Sequence, residues 1–405
     1  MKFTLLSCAV FIVSSVYALP SAPLSRRDGD FISSSSADNR IPTRTILYNN
    51  IYAPQTSPAF PNLDTPSGVI STYAGAAASA EIDTSAPLSR ETLDLSKYPE
   101  PWSKPDTNHP EVQAMVKAIQ WDYVPNIAAR KVDKEGNVVM KGYDANEDPD
   151  CWWTSSNCLE PKVNYLPPDV YTCPNQLEWG LTYDDGPFAL RDDDEEDAKQ
   201  ENPYAEPRLY NFLADQGVKS TLFYIGSNVV AYPAAAKRAL NDGHSLCVHT
   251  WSHPAMTTQS NEEVVAELYW TQRAIKEATG VTPKCWRPPQ GDVDDRVRAI
   301  AWQMGMRTVI WDKDTFDWNM PAPGGGNLPP ATVDGYFKGW LHDAKSGKDA
   351  NGTVILEHEL NHATVQMAEK WLPKVKETFK VLPALQCNDI TQPYWEEDFT
   401  YPSAH

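Results

Sequence analysis

The sequence lacks an excess of positive charge, and it lacks long hydrophobic runs after its first residues. Its 405 residues include 35 Lys and Arg against 54 Asp and Glu, which gives a formal net charge of −19. A nucleic-acid partner requires a basic footprint, so we expect no such partner. A bilayer-spanning helix needs about 20 apolar residues, and no later segment supplies them. The acidic balance favours either simple solubility or attraction to a cationic polymer.

The first residues have the pattern of a secretion signal. Lys2 precedes an apolar stretch that ends near Val13, and Val16-Tyr17-Ala18 follows. This arrangement predicts a signal over residues 1–18 that is cleaved near Ala18, and therefore a secreted protein of the cell exterior or cell wall. Arg26-Arg27 is either a dibasic processing site or a pair of solvated charges.

Cysteine is scarce, and its number favours disulfides. The chain has seven cysteines, and six remain once Cys8 is removed with the signal. An even number in a secreted chain is typical of disulfide bonding. We predict the bridges Cys173–Cys387 and Cys151–Cys158. Cys247 and Cys285 are either buried thiols or a third bridge.

Composition divides the chain into segments. Residues 19–96 are rich in Ser, Ala, Pro and Thr without a sustained period, which predicts a linker or pro-segment. Residues 97–175 contain aromatics, three cysteines and a helix predicted over 110–118, so we expect an ordered N-terminal extension. A main domain follows over 176–386, and residues 387–405 form a C-terminal tail. Within the main domain the acidic run 192–197 predicts a solvated loop.

In the main domain, strand-like and helix-like patterns alternate. Strands are predicted over 177–183, 220–225, 245–249, 308–311 and 353–356, and helices over 209–214, 234–240, 262–278 and 296–304. Regular alternation of this kind predicts an α/β fold with a parallel sheet and crossover helices, and the number of repeats favours closure into a barrel. The helix over 262–278 is expected to end at Gly280.

Five short polar motifs, each at the end of an apolar strand-like run, lie in order along the main domain. They are Thr182–Pro187, His249–Pro254, Arg287–Gly291, Asp314–Trp318 and Leu356–His358. In (β/α) barrels the chemistry lies at the carboxyl ends of the strands. We therefore expect the five motifs to meet at one site, which makes the ensemble more informative than any single motif.

The first two motifs together predict a metal site. Two histidines four residues apart, His249 and His253, can bind one cation, although such a pair alone is structural about as often. Asp184-Asp185 alone is more typical of a turn. With both motifs at neighbouring strand ends, a His-His-Asp site is favoured. Three protein ligands leave open positions for water and substrate, as in catalytic zinc centres.

The motifs in this order resemble the NodB-homology domain of polysaccharide deacetylases, the fourth carbohydrate esterase family. The resemblance covers about 176–386, and the stretch Trp286–Arg298 is most similar to fungal chitin deacetylases. It implies a distorted (β/α) barrel of the polysaccharide deacetylase type with an N-terminal extension. It further implies Zn²⁺ as cofactor, with Co²⁺ or another divalent cation able to replace it.

The resemblance also implies a role for each motif residue. Asp185, His249 and His253 are the implied metal ligands, and Asp184 is the implied general base, held ionised by Arg287. A bound cation acidifies its water, so a carboxylate suffices as base. The backbone N–H near Gln290 is implied to stabilise the oxyanion. A surface position before a Pro-Pro turn is the alternative for Arg287.

The later motifs supply the implied acid. His358 is expected to protonate the departing amine, with Asp317 as its partner and Asp314 as second choice for that role. Trp318 and Leu356 are implied to surround the acetyl methyl group, and the substrate-binding set is Gln290, Trp318, Leu356 and Asp314.

Three features depart from the common family pattern. Gln290 replaces an aromatic residue and Tyr183 replaces Phe. Glu357 and Glu359 flank His358; strand alternation predicts that both face away, while their negative potential would raise the pKa of His358.

The expected function is removal of N-acetyl groups from N-acetylglucosamine residues of chitin, giving chitosan and acetate, by a monomeric secreted enzyme whose partner is chitin or a chito-oligosaccharide. Alternatives are a deacetylase of xylan or peptidoglycan and a catalytically silent cell-wall polysaccharide-binding protein. Asn351-Gly352-Thr353 is a predicted glycosylation sequon.

Overall fold

The computed structural model describes residues 56–63, 66, 69, 88–89, 91–187, 208–322 and 324–396. The predicted secretion signal, Arg26-Arg27, the acidic run 192–197, most of the predicted linker and the end of the tail lie outside these residues. No helix in the described parts of the chain is long and apolar enough to cross a membrane.

A parallel sheet of eight strands forms the centre of the protein. Its order is β5-β4-β3-β2-β1-β7-β6, and β8 pairs with the first residues of β1. The strand bounds are β1 Glu178–Gly186, β2 Thr221–Tyr224, β3 Ser245–Val248, β4 Cys285–Trp286, β5 Arg307–Thr308, β6 Lys313–Asp314, β7 Thr353–His358 and β8 Lys380–Pro383. The sheet curls into a barrel that is incomplete, because β5 and β6 at the two ends of this order do not pair with each other. The predicted distorted (β/α) barrel is confirmed.

Helices connect and cover the strands. Their bounds are α1 Pro110–Ala118, α2 Trp153–Ser156, α3 Arg208–Asp215, α4 Gly226–Ala231, α5 Pro233–Asn241, α6 Asn261–Thr279, α7 Asp295–Gln303, α8 Pro330–Lys345, α9 His362–Lys376 and α10 Ala384–Cys387. All five predicted helices are present. The longest, α6, begins with a capping box between Ser260 and Glu263 and ends at Gly280, whose φ of 82° provides the expected left-handed cap.

The central strand β1 separates an apolar face from a polar one. Side chains alternate along a strand, and Trp179, Leu181 and Tyr183 are all buried in the main hydrophobic core. Thr182 and Asp184 therefore point to the opposite side, where both contact Arg287. The alternation of β1 thus places one face in the core and the other toward the barrel interior.

One predicted strand is shorter than expected. Instead of 308–311, β5 spans Arg307–Thr308, and the chain beyond it pairs with the N-terminal extension. Val170 forms a parallel bridge with Val309 and accepts a hydrogen bond from the Ile310 amide at 2.7 Å. A residue far from β5 in sequence therefore occupies this edge of the sheet.

The residues before β1 pack directly on the barrel. The ring of Tyr98 stacks on Trp251 with centroids 5.8 Å apart, and its hydroxyl donates to Glu277 of α6 at 2.7 Å. Arg273 of α6 contacts the same ring and bonds Glu111 of α1. These contacts agree with an ordered extension, while the exact domain boundaries stay predictions.

All six cysteines within the described residues are bridged. The pairs are Cys151–Cys158, Cys173–Cys387 and Cys247–Cys285. The first two predicted bridges are confirmed, and the third pair forms a bridge instead of two thiols. Three disulfides indicate folding in an oxidising compartment.

Candidate active site

The five motifs meet at the carboxyl edge of the sheet. Asp184 at the end of β1 is in register with His358 at the end of β7. The second and third motifs follow β3 and β4, which are neighbours in the sheet. The fourth motif begins at Asp314, the last residue of β6. The parallel strands therefore bring the motifs together at one edge, as expected.

A break in β1 lets two adjacent carboxylates face one site. Its pairing with β2 shifts register between Asp184 and Gly186, and Asp185 has a φ of 74°. Neighbouring residues of a regular strand point to opposite sides. The left-handed conformation at Asp185 turns its carboxylate back toward the barrel mouth, so that Asp184 and Asp185 both contribute there.

Asp185, His249 and His253 form a group suited to a divalent cation. The Asp185 Oδ1 atom lies 3.4 Å from Nε2 of each histidine, and the three ligand atoms are within 4.8 Å of one another. Among the described residues this buried Oδ1 atom has no hydrogen-bond partner. A buried carboxylate oxygen facing two imidazole nitrogens is costly unless a cation completes it, so the donor set fits a metal.

Electrostatics prepare these three residues as ligands. Burial lowers the pKa of His253 to about 4, so the imidazole is neutral near pH 7 and has a free lone pair. Burial opposes ionisation of Asp185, but His253 and His249 outweigh it and hold the pKa of this carboxyl below its ordinary value. His249 Nδ1 lies 2.8 Å from the Arg287 carbonyl oxygen, which leaves Nε2 facing Asp185.

A second group of potential ligands is not a metal site. Asp148 lies beside Cys151 and Cys158. The two sulfurs are joined in a disulfide, so neither is available as a thiolate.

Arg287 is buried against Asp184. Its Nη1 atom donates to Asp184 Oδ1 at 2.7 Å and to the Thr182 hydroxyl at 2.7 Å. Its Nε and Nη2 atoms donate to the carbonyl oxygens of Val309 and Ile310. The side chain is 0% exposed, which contradicts the alternative of a surface arginine. Because these acceptors fix the guanidinium, it presents an immobile positive charge to Asp184.

His358 pairs with Asp317. His358 Nδ1 lies 2.7 Å from Asp317 Oδ1, and the His358 amide donates to Asp317 Oδ2 at 3.0 Å. Although burial disfavours the imidazolium, Asp317 and the two site aspartates raise the pKa of His358 to about 10. The ring is thus protonated at neutral pH, with Nε2 not engaged by Asp317.

Asp314 has a different role from the one proposed as second choice. Its Oδ1 atom accepts a hydrogen bond from the Phe316 amide at 2.7 Å, which stabilises the turn before Asp317. Burial raises the pKa of Asp314 to about 7. Since Asp317 makes both contacts with His358, Asp314 is not the partner of the imidazole.

The remaining predicted residues lie around this centre. Gln290 is exposed, has a φ of 58°, and follows Arg287 by three residues. No described residue accepts a hydrogen bond from its backbone N–H. Trp318 is half-buried and its amide bonds Asp317, while Leu356 is buried two residues before His358. Both apolar side chains therefore adjoin the His358–Asp317 pair in the chain.

Comparison with known proteins identifies the family. A family model described as polysaccharide deacetylase matches residues 172–309. The chain is 41% identical over 312 residues to the chitin deacetylase of Amylomyces rouxii, covering 76% of this chain and 69% of that protein. The chain belongs to the polysaccharide deacetylase family.

Other relatives of this polysaccharide deacetylase carry similar names. Chitin deacetylase 2 of Cryptococcus neoformans var. grubii is 42% identical over 262 residues, covering 64% of this chain and 54% of that protein. The chain therefore spans about half the length of that relative. A solved chitin deacetylase structure from the fungal pathogen Colletotrichum lindemuthianum has a TM-score of 0.45 and 22% identity, covering 54% of this chain and 90% of that chain. The family is metal-dependent, which agrees with the Asp-His-His group.

Glu357 does not add negative charge beside His358 in this deacetylase. It is in register with Tyr183, whereas His358 is in register with Asp184, so the two side chains face opposite sides as alternation predicts. Burial, reinforced by Asp317, raises the pKa of Glu357 well above its ordinary value and favours the neutral acid. The imidazolium of His358 is therefore stabilised by Asp317 and the two site aspartates and not by Glu357.

Sequence reasoning missed Glu267. This buried residue of α6 accepts hydrogen bonds from the amides of Trp251 and Ser252, each at 2.8 Å, and from the Ser252 hydroxyl at 2.6 Å. Its carboxylate therefore holds the turn between His249 and His253 in place through these hydrogen bonds. The available signal was an acidic residue within the buried face of a predicted helix, where an ionisable group needs a specific partner.

Proposed function

We propose that this polysaccharide deacetylase removes N-acetyl groups from N-acetylglucosamine residues of chitin, giving chitosan and acetate. The observation that carries the proposal is the joining of three units at one sheet edge: the Asp185-His249-His253 group, the Asp184–Arg287 pair and the His358–Asp317 pair. These units supply ligands, a base and an acid. The names of the similar fungal proteins support chitin as the substrate.

Asp185, His249 and His253 would hold the divalent cation, for which we propose Zn²⁺, with Co²⁺ or another divalent ion able to replace it. When bound, the ion supplies Lewis acidity, which polarises the acetamide carbonyl and makes a nearby water more acidic. The protein residues carry out the remaining work of positioning and proton transfer.

Asp184 would act as the general base. Its carboxylate takes a proton from the attacking water, whose oxygen forms the new bond to the acetyl carbon. Arg287 favours the ionised form of Asp184 and fixes its orientation through a 2.7 Å hydrogen bond. Thr182 and two carbonyl oxygens accept from three further guanidinium donors, so these contacts hold Arg287 beside Asp184.

His358 would act as the general acid. It donates its proton from Nε2 to the sugar nitrogen as the carbon–nitrogen bond breaks, so that the amine leaves in neutral form and acetic acid remains, which then loses its proton to give acetate. Asp317 orients the ring and keeps it protonated before that step. The Gln290 N–H would stabilise the oxyanion, Trp318 and Leu356 would surround the acetyl methyl group, and Asp314 would contact the substrate at the same mouth.

We further propose that the enzyme is a secreted monomer acting outside the cell or in the cell wall. The predicted signal over 1–18 and three disulfides support this location. Asn351 of the sequon is exposed just before β7, so its side chain is accessible for glycosylation. The segments 19–96, 97–175, 176–386 and 387–405 are proposed as linker, extension, deacetylase domain and tail.

Acetate release tests the proposed function. Purified protein is incubated with chitin oligomers, acetylxylan and peptidoglycan, before and after chelation and after restoring Zn²⁺. We expect acetate from the chitin oligomers, loss of it with chelator and recovery with metal. Acetate only from acetylxylan or peptidoglycan would replace chitin as the substrate. No acetate from any of the three by metal-loaded protein would favour a silent wall-binding protein.

A further inference from the structure

The turn that carries Gln290 is held in a demanding conformation. Residues Pro289–Gly291 form a single 3-10 turn, and Gln290 has φ 58° and ψ 12° within it. A residue with a side chain occupies this left-handed region at a cost, and the conformation persists only when the surroundings impose it. The position of the Gln290 N–H therefore depends on what packs around the turn.

A disulfide-closed loop of the N-terminal extension packs on this turn. We call residues 151–158, bounded by the Cys151–Cys158 bridge, the disulfide loop. The Trp153 ring lies directly over Gly291, where a Cβ atom would collide with its six-membered ring. The Trp153 amide also donates to the Val293 carbonyl oxygen at 3.0 Å. The loop thus touches the residues on the carboxyl side of Gln290 through both its ring and its backbone.

Asp292 directly follows the third motif and ties the loop to the segment that follows the second motif. One carboxylate oxygen accepts from the Trp152 indole N–H at 2.9 Å and from the Thr154 hydroxyl at 2.5 Å. The other accepts from the amide and hydroxyl of Thr257, at 2.8 Å and 2.7 Å, four residues after the proposed ligand His253. Asp292 is buried, so these contacts are shielded from water and fix its orientation.

The loop is itself rigidly attached. Arg298 of α7 donates to the carbonyl oxygens of Cys151 and Cys158 at 2.6 Å and 2.9 Å. On the other side, the guanidinium of Arg130 lies 3.8 Å from the centre of the buried Trp152 ring. A loop closed by a disulfide and bonded at both cysteines can transmit a fixed position to the turn that it contacts.

We propose that the disulfide loop is a positioning element for the reaction, and that it holds the Gln290 N–H where the oxyanion develops. The proposal rests on the proposed function. Trp153 is a positioning residue, because it acts through Gly291 and Val293 without a role in bond making. A misplacement of about 1 Å in such a donor costs up to about 100-fold in turnover.

Substitutions of Trp153 test the inference in the full-length, metal-loaded protein with chitin oligomers. Trp153→Ala removes the ring over Gly291. Trp121→Ala is the matched control, because Trp121 is a half-buried tryptophan of the same extension whose indole bonds the Val116 carbonyl and not the Gln290 turn. We expect Trp153→Ala to lower kcat by about 10- to 100-fold with KM changed less than about threefold. Metal content and the shape of the pH profile should stay as in the parent.

The control and a conservative variant separate positioning from general stability. Trp121→Ala should lower Tm to a similar degree and leave kcat within about twofold of the parent. Trp153→Phe retains an aromatic ring over Gly291, so its kcat should lie between those of the parent and Trp153→Ala. If Trp153→Ala does not fold, the kcat and KM of Trp153→Phe are compared with those of the parent and of Trp121→Ala instead.

Several results would overturn the inference. An unchanged kcat in the Trp153 variants, an equal loss in Trp121→Ala, or a rise in KM alone would each exclude a positioning role. These outcomes presuppose an active parent enzyme and leave the proposed function intact. Absence of acetate release by the parent protein itself would instead remove the proposed function, and the inference with it.

Discussion

Asp184 and Asp185 are chemically identical neighbours with different surroundings. Asp185 faces two imidazoles and has a buried oxygen with no hydrogen-bond partner among the described residues, whereas Asp184 is paired with the buried Arg287. The difference arises from one left-handed residue at the end of β1. Separate roles for ligand and base follow from these surroundings, and single substitutions can distinguish them.

Asp184→Asn should abolish most activity while metal content stays near normal. The variant keeps all three proposed ligands but loses the proton acceptor, so turnover should fall by about 100- to 10,000-fold. Atomic absorption and acetate release measure the two quantities on the same preparation. His253→Ala is the contrasting variant, because it removes a ligand and should lose the metal itself. Substantial residual turnover by Asp184→Asn would exclude Asp184 as the base.

Asp317→Asn should move the alkaline limb of the activity profile to lower pH. His358 acts as an acid only when protonated, and its pKa is raised to about 10, so the limb due to this group should lie near that pH. Loss of the Asp317 charge removes the nearest group that stabilises the imidazolium. The pKa of His358, and with it the midpoint of the alkaline limb, should fall by more than about one pH unit. The profile of kcat against pH measures the shift. If the alkaline limb stays at the same pH, a group other than His358 is responsible for it.

At the scale of elements, the helix α6 supports the metal site without contributing a ligand. Burial raises the pKa of Glu267 to about 7, yet this residue accepts three hydrogen bonds from the turn between the two histidines. The helix is anchored at both ends by its capping box and by Gly280. A fixed helix thereby fixes the backbone that presents His253.

Glu267→Ala should lower both stability and metal affinity. The amides of the buried Trp251 and the half-buried Ser252 lose their acceptor, which costs about 2–4 kcal/mol in the free energy of unfolding. Loss of support behind ligands typically costs about 10- to 100-fold in metal affinity. Denaturant unfolding of metal-free protein and Zn²⁺ titration measure these effects. Glu262→Ala on the exposed side of α6 is the control, and equal effects in both variants would contradict the assignment.

The strands that carry the first, second and fifth motifs could be predicted from the sequence, whereas the two-residue strands β4 and β6 and two later helices could not. Strand ends and their polar motifs give local signals that do not depend on distant contacts. By contrast, α8 contains Gly335 and Gly339, and α9 contains Pro373, all of which disfavour helix. Packing between the two helices overrides this propensity, as in the stacking of Phe337 on Trp371 with centroids 5.2 Å apart.

The candidate site shows the same limit. Its residues were identified from the motifs, but the choice between Asp314 and Asp317 as partner of His358 depends on the turn at Phe316, whose φ is 54°. The contacts of the disulfide loop with the Gln290 turn join segments about 140 positions apart, as in the Trp152–Asp292 hydrogen bond with a separation of 140. No local pattern in the sequence specifies such a contact.

At the scale of the whole molecule, the three disulfides close loops of very different length. Their sequence separations are 7, 38 and 214 for Cys151–Cys158, Cys247–Cys285 and Cys173–Cys387. A crosslink restricts the unfolded chain more when it closes a longer loop. The longest of the three joins the start of the barrel to its end.

Paired Cys→Ser variants should therefore lose stability in order of loop length. The chain-entropy model gives losses of about 2, 4 and 5 kcal/mol for separations of 7, 38 and 214. Reversible denaturant unfolding of the three double variants measures the order. If removal of Cys151–Cys158 cost more than removal of Cys173–Cys387, native contacts and not loop closure would govern the stabilisation.

The central position of β1 also sets an order of assembly during synthesis. Its neighbours include β7 and β8, which a ribosome makes only after residues 353 and 380. Asp185, His249 and His253 all precede residue 260, so they emerge well before the partners that complete the middle of the sheet. The growing chain therefore holds all three proposed ligands while the half of the site that contains His358 is still unmade.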